Sequence, residues 1–349
     1  MKDELEDLMG AATARADYAD VRHVATNLEQ ISTRNGAVDE VERSESEGVG
    51  VRVRVGGAWG FAATRDTSRA GLDAALTRAL AVAAAQPRAP KTPLAPEPPA
   101  RGRWESAALI DPFTVPLEDK LALLVAADRS MRGDPRIAVT SAFVTAQKES
   151  HTFASTEGAL CEQLSTDTGG GMVALAVSGD EVQARSYPGS HTGSVMRSGW
   201  EHFAGLDLPA AGPEVAEQAV ALLTAPAVEP GRTTIVLDGM QLAIQLHESV
   251  GHAVELDRVL GTEAAYAGRS FVDVADLGRL RYGSDLMNVT ADATVAGGLG
   301  SYGWDDEGVQ ARTYPIVRQG VLAGFLSSRE SAAAIGLDRS GGCMRAEGF

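Results

Sequence analysis

Basic residues are in short supply in this chain. Against 47 acidic residues stand 31 lysines and arginines, a formal charge of −16. A chain so charged repels phosphate backbones and anionic lipid surfaces, which argues against general nucleic-acid or membrane binding. Cysteine is nearly absent. Cys161 and Cys343 are the only two in 349 residues, too few for a disulfide framework. Long apolar runs are missing as well, since none approaches the ~20 residues that span a bilayer. The opening Met1-Lys2-Asp3-Glu4-Leu5-Glu6-Asp7 has neither the basic nor the apolar part of a secretory signal. These absences predict a soluble cytoplasmic protein with no nucleic-acid and no membrane partner. What is present is 44% hydrophobic residues, enough for packed cores, and a length that suits two domains.

The most informative stretch is His247-Glu248-Ser249-Val250-Gly251-His252, an H-E-x-x-x-H pattern. Imidazole is the commonest protein ligand of zinc, and a carboxylate beside the metal can act as general base on water. A regular α-helix turns roughly 100° per residue, so a separation of four returns to the same face and a separation of five leaves the second ring roughly 140° away. Two imidazoles five apart converge only if the turn widens, as in a π-bulge. Gly251 is the residue best able to tolerate that distortion. The spacing therefore predicts a distorted helix at 247–252 with His247 and His252 on a metal and Glu248 as catalytic base. A structural helix without metal is also compatible with the pattern alone. Glu255 and Asp257 are candidates to orient an imidazole from behind, and nothing in the sequence selects between them.

The fold class expected is α+β. An α/β N-terminal domain, 1–228, with antiparallel sheets and flanking helices precedes a β-rich C-terminal domain, 229–349. Helices are predicted at about 2–16, 69–85, 116–132 and 213–223. Strands are predicted at 21–26, 49–55, 58–64, 137–146, 172–177 and 181–187. Closely spaced prolines make 86–103 an extended linker. Ser32 to Val38 and Ser155 to Leu160 echo one another, which suggests an internal repeat. Beyond Glu229-Pro230-Gly231, residues 233–237 read as a buried strand and 240–256 as the helix of the histidines. Strands then follow at 286–290, 313–317 and 321–326, with Gln319-Gly320 as a hairpin turn and a short helix at 329–336.

Weaker signals have bland readings. Asp305-Asp306-Glu307 could touch substrate or metal, but a solvated turn is the favoured expectation. Gly169-Gly170-Gly171 lacks the Lys-Ser/Thr of a phosphate loop and reads as a strand hinge. His23, His151, His191 and His202 lack ligand spacing and are taken as structural. Arg345 could meet a substrate carboxylate or an internal acid.

The hexapeptide and its surroundings resemble the TldD/PmbA family of metallopeptidases, proposed modulators of DNA gyrase. The TldD branch is nearest, because the PmbA branch, also called TldE, lacks the motif. Pro230 to Leu237, Asp305 to Val309, Gly320 to Leu326 and Met344 to Glu347 are similar to family segments in the same order. The resemblance implies an active site in the C-terminal domain, zinc (Zn2+) held by His247 and His252, and Glu248 as base. It implies hydrolysis of peptides or unfolded protein segments, and a dimer with a PmbA/TldE-like paralogue or with itself. It also implies a chain cut short at Phe349, since the family continues by roughly one hundred residues and its third ligand, a cysteine, is expected there. Neither Cys161 nor Cys343 matches that position, and both read as small buried thiols. Alternatives are a noncatalytic partner subunit of such a complex and a metal-dependent hydrolase of small amides.

Overall fold

The computed structural model describes residues 1–86, 93–189 and 193–349, so His191 and part of the proline-rich linker lie outside the described residues. The fold is α+β. One eight-stranded sheet runs β3-β2-β1-β5-β6-β4, with two further strands, β7 and β8, against β6. Its members are β1 (Tyr18–Arg34), β2 (Ala37–Val55), β3 (Ala58–Thr64), β4 (Arg101–Glu105), β5 (Ile137–Ser155), β6 (Leu160–Ser178), β7 (Glu181–Tyr187) and β8 (Ser194–Met196). Every pairing is antiparallel except β4 on β6. The end of the expected linker is thus a strand, and Ala95 before it is buried. The strands β1, β2, β5 and β6 are far longer than their apolar runs suggested, because each is paired along nearly its whole length. Asn35 and Gly36 turn β1 into β2 with φ of 53° and 80°, the left-handed values a two-residue hairpin needs.

Two sets of helices bury the sheet at opposite ends of its long strands. Helices α1 (Lys2–Thr13) and α2 (Arg69–Ala85) close one core over Val21, Val49, Val51 and Val53. Helices α3 (Leu117–Ser130), α4 (Trp200–Gly205) and α5 (Leu208–Leu222) close the other over Ile31, Val144, Met172 and Ala174. Burying a side chain of this size fully is worth roughly 1.5–3 kcal/mol, so alternate residues of each strand commit one face to the helices. Gly170 of β6 permits this packing, since a Cβ there would lie 2.1 Å from the Phe143 carbonyl oxygen and 2.5 Å from the Phe203 ring. The glycine triplet serves close approach within β6.

The other face carries Arg22, Arg52, His151, Phe153 and Gln163, and the C-terminal part sits on it. Asp305, Asp306 and Glu307 are 0%, 3% and 5% exposed. The expected solvated turn is therefore wrong: these acids are buried because cations and N–H groups of remote elements meet them. Asp305 accepts from the amides of Glu307, Val309 and Met344. Asp306 accepts from Arg22 at 2.9 Å and from the Ala346 amide at 2.6 Å. Glu307 accepts from the Arg329 amide at 2.6 Å and lies 3.5 Å from Arg52.

The C-terminal part contains α6 (Gly239–Leu246), α7 (Leu256–Leu260), β9 (Val289–Asp292), β10 (Thr313–Arg318), β11 (Val321–Leu322) and α8 (Arg329–Ala334). Its small sheet has the order β11-β10-β9 and packs on Val250, Val254 and Leu256. Residues 233–237 correct another expectation. They form no strand, and Ile235 and Val236 are 73% and 93% exposed. No described strand lies beside them, and an unpaired segment has no ladder hydrogen bonds to hold it extended.

Candidate metal centre

The long helix expected over 240–256 is four short pieces, and the breaks make the site. Asp238 caps α6, its side chain accepting from the Gln241 amide at 2.9 Å. At His247 the α-helix widens into a π turn, His247–Gly251, and the His252 amide donates to the His247 carbonyl, five residues back. That is the widening the five-residue spacing requires. A single 3-10 turn, His252–Val254, follows before α7.

The consequence is convergence. The His247 and His252 rings stand 4.4 Å apart between centroids, tilted by 42°. A ligand atom of Glu248 joins one from each ring, all three within 4.8 Å of one another. Two imidazoles so placed fit a divalent transition ion, with the Glu248 carboxylate beside them. His247 and Glu248 are exposed and His252 is half-buried, so the site opens to solvent.

The two imidazoles are not equivalent. His252 Nδ1 lies 2.8 Å from Glu255 Oε1. Arg258 donates from Nε to the other oxygen of Glu255 at 3.0 Å. A carboxylate only accepts, so Nδ1 carries a proton, and in the neutral ring Nε2 keeps its lone pair. No side-chain hydrogen bond holds His247 or Glu248 among the described residues. Asp257 faces elsewhere, 3.4 Å from the Ser331 hydroxyl, and burial together with Glu263 raises its pKa.

Glu255 and Arg258 also line a cavity of about 600 Å³. The sheet contributes Arg52 and Trp59 to its wall, and the C-terminal part contributes Leu326 and Arg345. Arg345, left open by the sequence, lies 3.5 Å from Asp306 and 4.7 Å from the Tyr302 ring centre while facing this space. Burial pushes the Cys161 thiol up to about 12 and raises that of Cys343, which also lines the cavity. His23 is paired with Glu47 at 2.9 Å and His202 with Ser194 at 3.1 Å.

Three family profiles cover most of the chain: PmbA/TldA metallopeptidase domain 1 over residues 19–83, the central domain over 110–223, and the C-terminal domain over 230–349. The chain belongs to the PmbA/TldD metallopeptidase family. Similar relatives in this family include a Synechocystis metalloprotease, 31% identical over 340 residues, covering 96% of this chain and 69% of the relative. A Methanothermobacter thermautotrophicus metalloprotease is 29% identical over 342 residues, covering 96% and 69%. A Haemophilus influenzae metalloprotease, called a TldD homologue, is 26% identical and covers 94% and 67%. Among solved PmbA/TldD-type folds, a proposed modulator of DNA gyrase from Bacteroides thetaiotaomicron superposes with a TM-score of 0.79 at 17% identity, covering 98% of this chain and 75% of that one. TldE from Thermococcus kodakarensis gives 0.64 at 15%, covering 97% and 73%. At family level a metal-dependent peptidase is what these names describe.

Proposed function

We propose that His247 and His252 hold a zinc ion and that Glu248 is the general base of peptide-bond hydrolysis. The observation that carries this reading is the π turn, which turns a spacing useless on a regular helix into one that brings both rings and the carboxylate together. Zinc in such a site supplies Lewis acidity, which acidifies water and polarises a carbonyl. Glu248 is exposed and has no side-chain hydrogen bond among the described residues, so it can take a proton from the attacking water and pass it to the leaving amine. The substrates are peptides or unfolded protein segments. An open site beside a cavity of about 600 Å³ suits an extended chain better than a folded one. The reading extends to a dimer, with a PmbA/TldE-like paralogue or a second copy, to a cytoplasmic location, and to a domain division between residues 228 and 229. No described helix is long and apolar enough to cross a membrane.

The test is cleavage of a denatured protein, with and without the paralogous partner. Glu248→Gln is expected to lower the rate by about 10²- to 10⁴-fold with zinc content unchanged. Chelation is expected to abolish cleavage and added zinc to restore it. Wild-type cleavage by Glu248→Gln would falsify the assignment of the base.

A further inference from the structure

We infer that Glu255, clamped by Arg258, is the positioning residue of the metal centre, and that it makes His252 the pre-set ligand of the pair. The inference rests on the zinc reading above and deepens it. His252, Glu255 and Arg258 follow one another at intervals of three. In a regular α-helix such side chains are offset, but in a 3-10 turn residues three apart eclipse one another. The turn His252–Val254 is a 3-10 turn, so the Glu255 carboxylate comes directly behind the His252 ring.

The backbone of Glu255 is fixed from outside the turn. Leu326 bridges to it in parallel: the Leu256 amide donates to the Leu326 carbonyl at 2.8 Å, and the Leu326 amide donates to the Val254 carbonyl at 2.9 Å. The carboxylate is fixed at both oxygens, Oε1 by His252 and Oε2 by Arg258. Arg258 also donates to the Ala267 carbonyl at 3.3 Å, which ties the pair to the loop framing the cavity. Competition for Nδ1 is decided by distance. Glu255 is at 2.8 Å and Arg258 Nη2 at 3.5 Å, so the carboxylate accepts the hydrogen bond from Nδ1 and the guanidinium serves the carboxylate. A histidine whose far nitrogen is held by a carboxylate presents a fixed, more basic Nε2 to a metal. His247 has no such support among the described residues. The two ligands therefore play unequal parts: His252 is oriented before metal arrives, and His247 is ordered by it.

Two measurements on the full chain test this. Imidazole 15N NMR of the metal-free protein is expected to show His252 as the Nδ1–H tautomer, and to show tautomer mixing in Glu255→Ala. Zinc affinity, measured by competition with a chromogenic chelator, is expected to fall about 10- to 100-fold in Glu255→Ala. Glu255→Gln, which keeps an acceptor oxygen behind the ring, is expected to recover most of that affinity. It also decides the matter should the alanine variant not fold. Equal zinc affinity in wild type and Glu255→Ala overturns the inference, as does an Nε2–H tautomer at His252 in the wild type. A wild type that takes up no zinc overturns the metal reading itself, and the inference with it.

Discussion

His151 and Asp305 are both buried against the seam between the sheet and the C-terminal part, and burial moves them in opposite directions. His151 is pushed down to about 4 by burial, partly offset by the Asp306 charge 3.8 Å away. Asp305 is pushed up to about 8, by burial first and by neighbouring Glu307 second. For His151 the unfolded chain binds more protons between about pH 4 and 6.5, so its contribution is present above 6.5 and is lost as pH falls toward 4. For Asp305 the folded chain binds more protons between about 3.8 and 8, so its contribution is present at low pH and is lost as pH rises to 8. The two slopes oppose each other from pH 4 to 6.5. Above 6.5 only that of Asp305 remains. The wild type is thus expected to lose stability between pH 6.5 and 8, by at most about 2 kcal/mol from Asp305 at ~1.4 kcal/mol per pH unit. Asp305→Asn is expected to flatten this slope even though its overall stability drops. Urea midpoints at pH 5, 6.5 and 8 measure both, and an unchanged slope in Asp305→Asn refutes the argument.

Among the elements, the π turn shows what a sequence can and cannot disclose. Its existence was legible, because two imidazoles five residues apart need a widened turn. The reason assigned to Gly251 was not. Its φ of −52° and ψ of −64° are helical, and a Cβ there would meet nothing closer than 3.8 Å. Gly251→Ala is therefore expected to change stability by less than about 1 kcal/mol, since alanine also suits a helical position, and to leave zinc affinity within a few-fold. A large loss in either, read by thermal unfolding and chelator competition, counts against this geometry. Helix α2 was legible from its alanine- and leucine-rich run, and the structure adds the Ser68 cap before it. Glu255 was visible as a candidate but not selectable, because only the 3-10 turn eclipses it with His252. Residues 233–237 misled, since apolar composition signals burial without saying whether a partner strand is at hand. Asp305 to Glu307 misled in the opposite sense. Three acids in a row read as solvated, but the cations that meet Asp306 and Glu307 lie far away in the chain, Arg22 on β1 and Arg52 on β2, and Asp305 is held by the amides of Glu307, Val309 and Met344.

At the scale of the whole molecule, that same acidic segment joins the C-terminal part to the sheet. Gln163 of β6 reads the backbone there like a strand, accepting from the Gly303 and Trp304 amides at 2.8 and 3.0 Å and donating to the Trp304 carbonyl at 2.9 Å. Gly308, at φ +75°, lets Phe153 pack where a Cβ would sit 2.6 Å from its ring. Asp306 is the ionic centre of the joint, holding Arg22 of β1 and the segment at Ala346. Its removal leaves Arg22, itself only 13% exposed, without its anion. Breaking a buried pair by deleting one partner costs about 3–5 kcal/mol. Both cores over the sheet lie on the face away from this joint and lose nothing directly. Asp306→Ala is therefore expected to raise hydrogen exchange at 301–309 and 344–346 while β1, β5 and β6 stay protected. The cavity draws Arg52 and Trp59 from the sheet and Glu255 and Arg345 from the C-terminal part, so a loosened joint spoils its shape before it reaches the π turn. On the peptidase reading, KM for an unfolded substrate should rise by more than kcat falls. Exchange that rises equally throughout the sheet would mean instead that sheet and C-terminal part open as one unit, and the joint would then not be the weaker boundary.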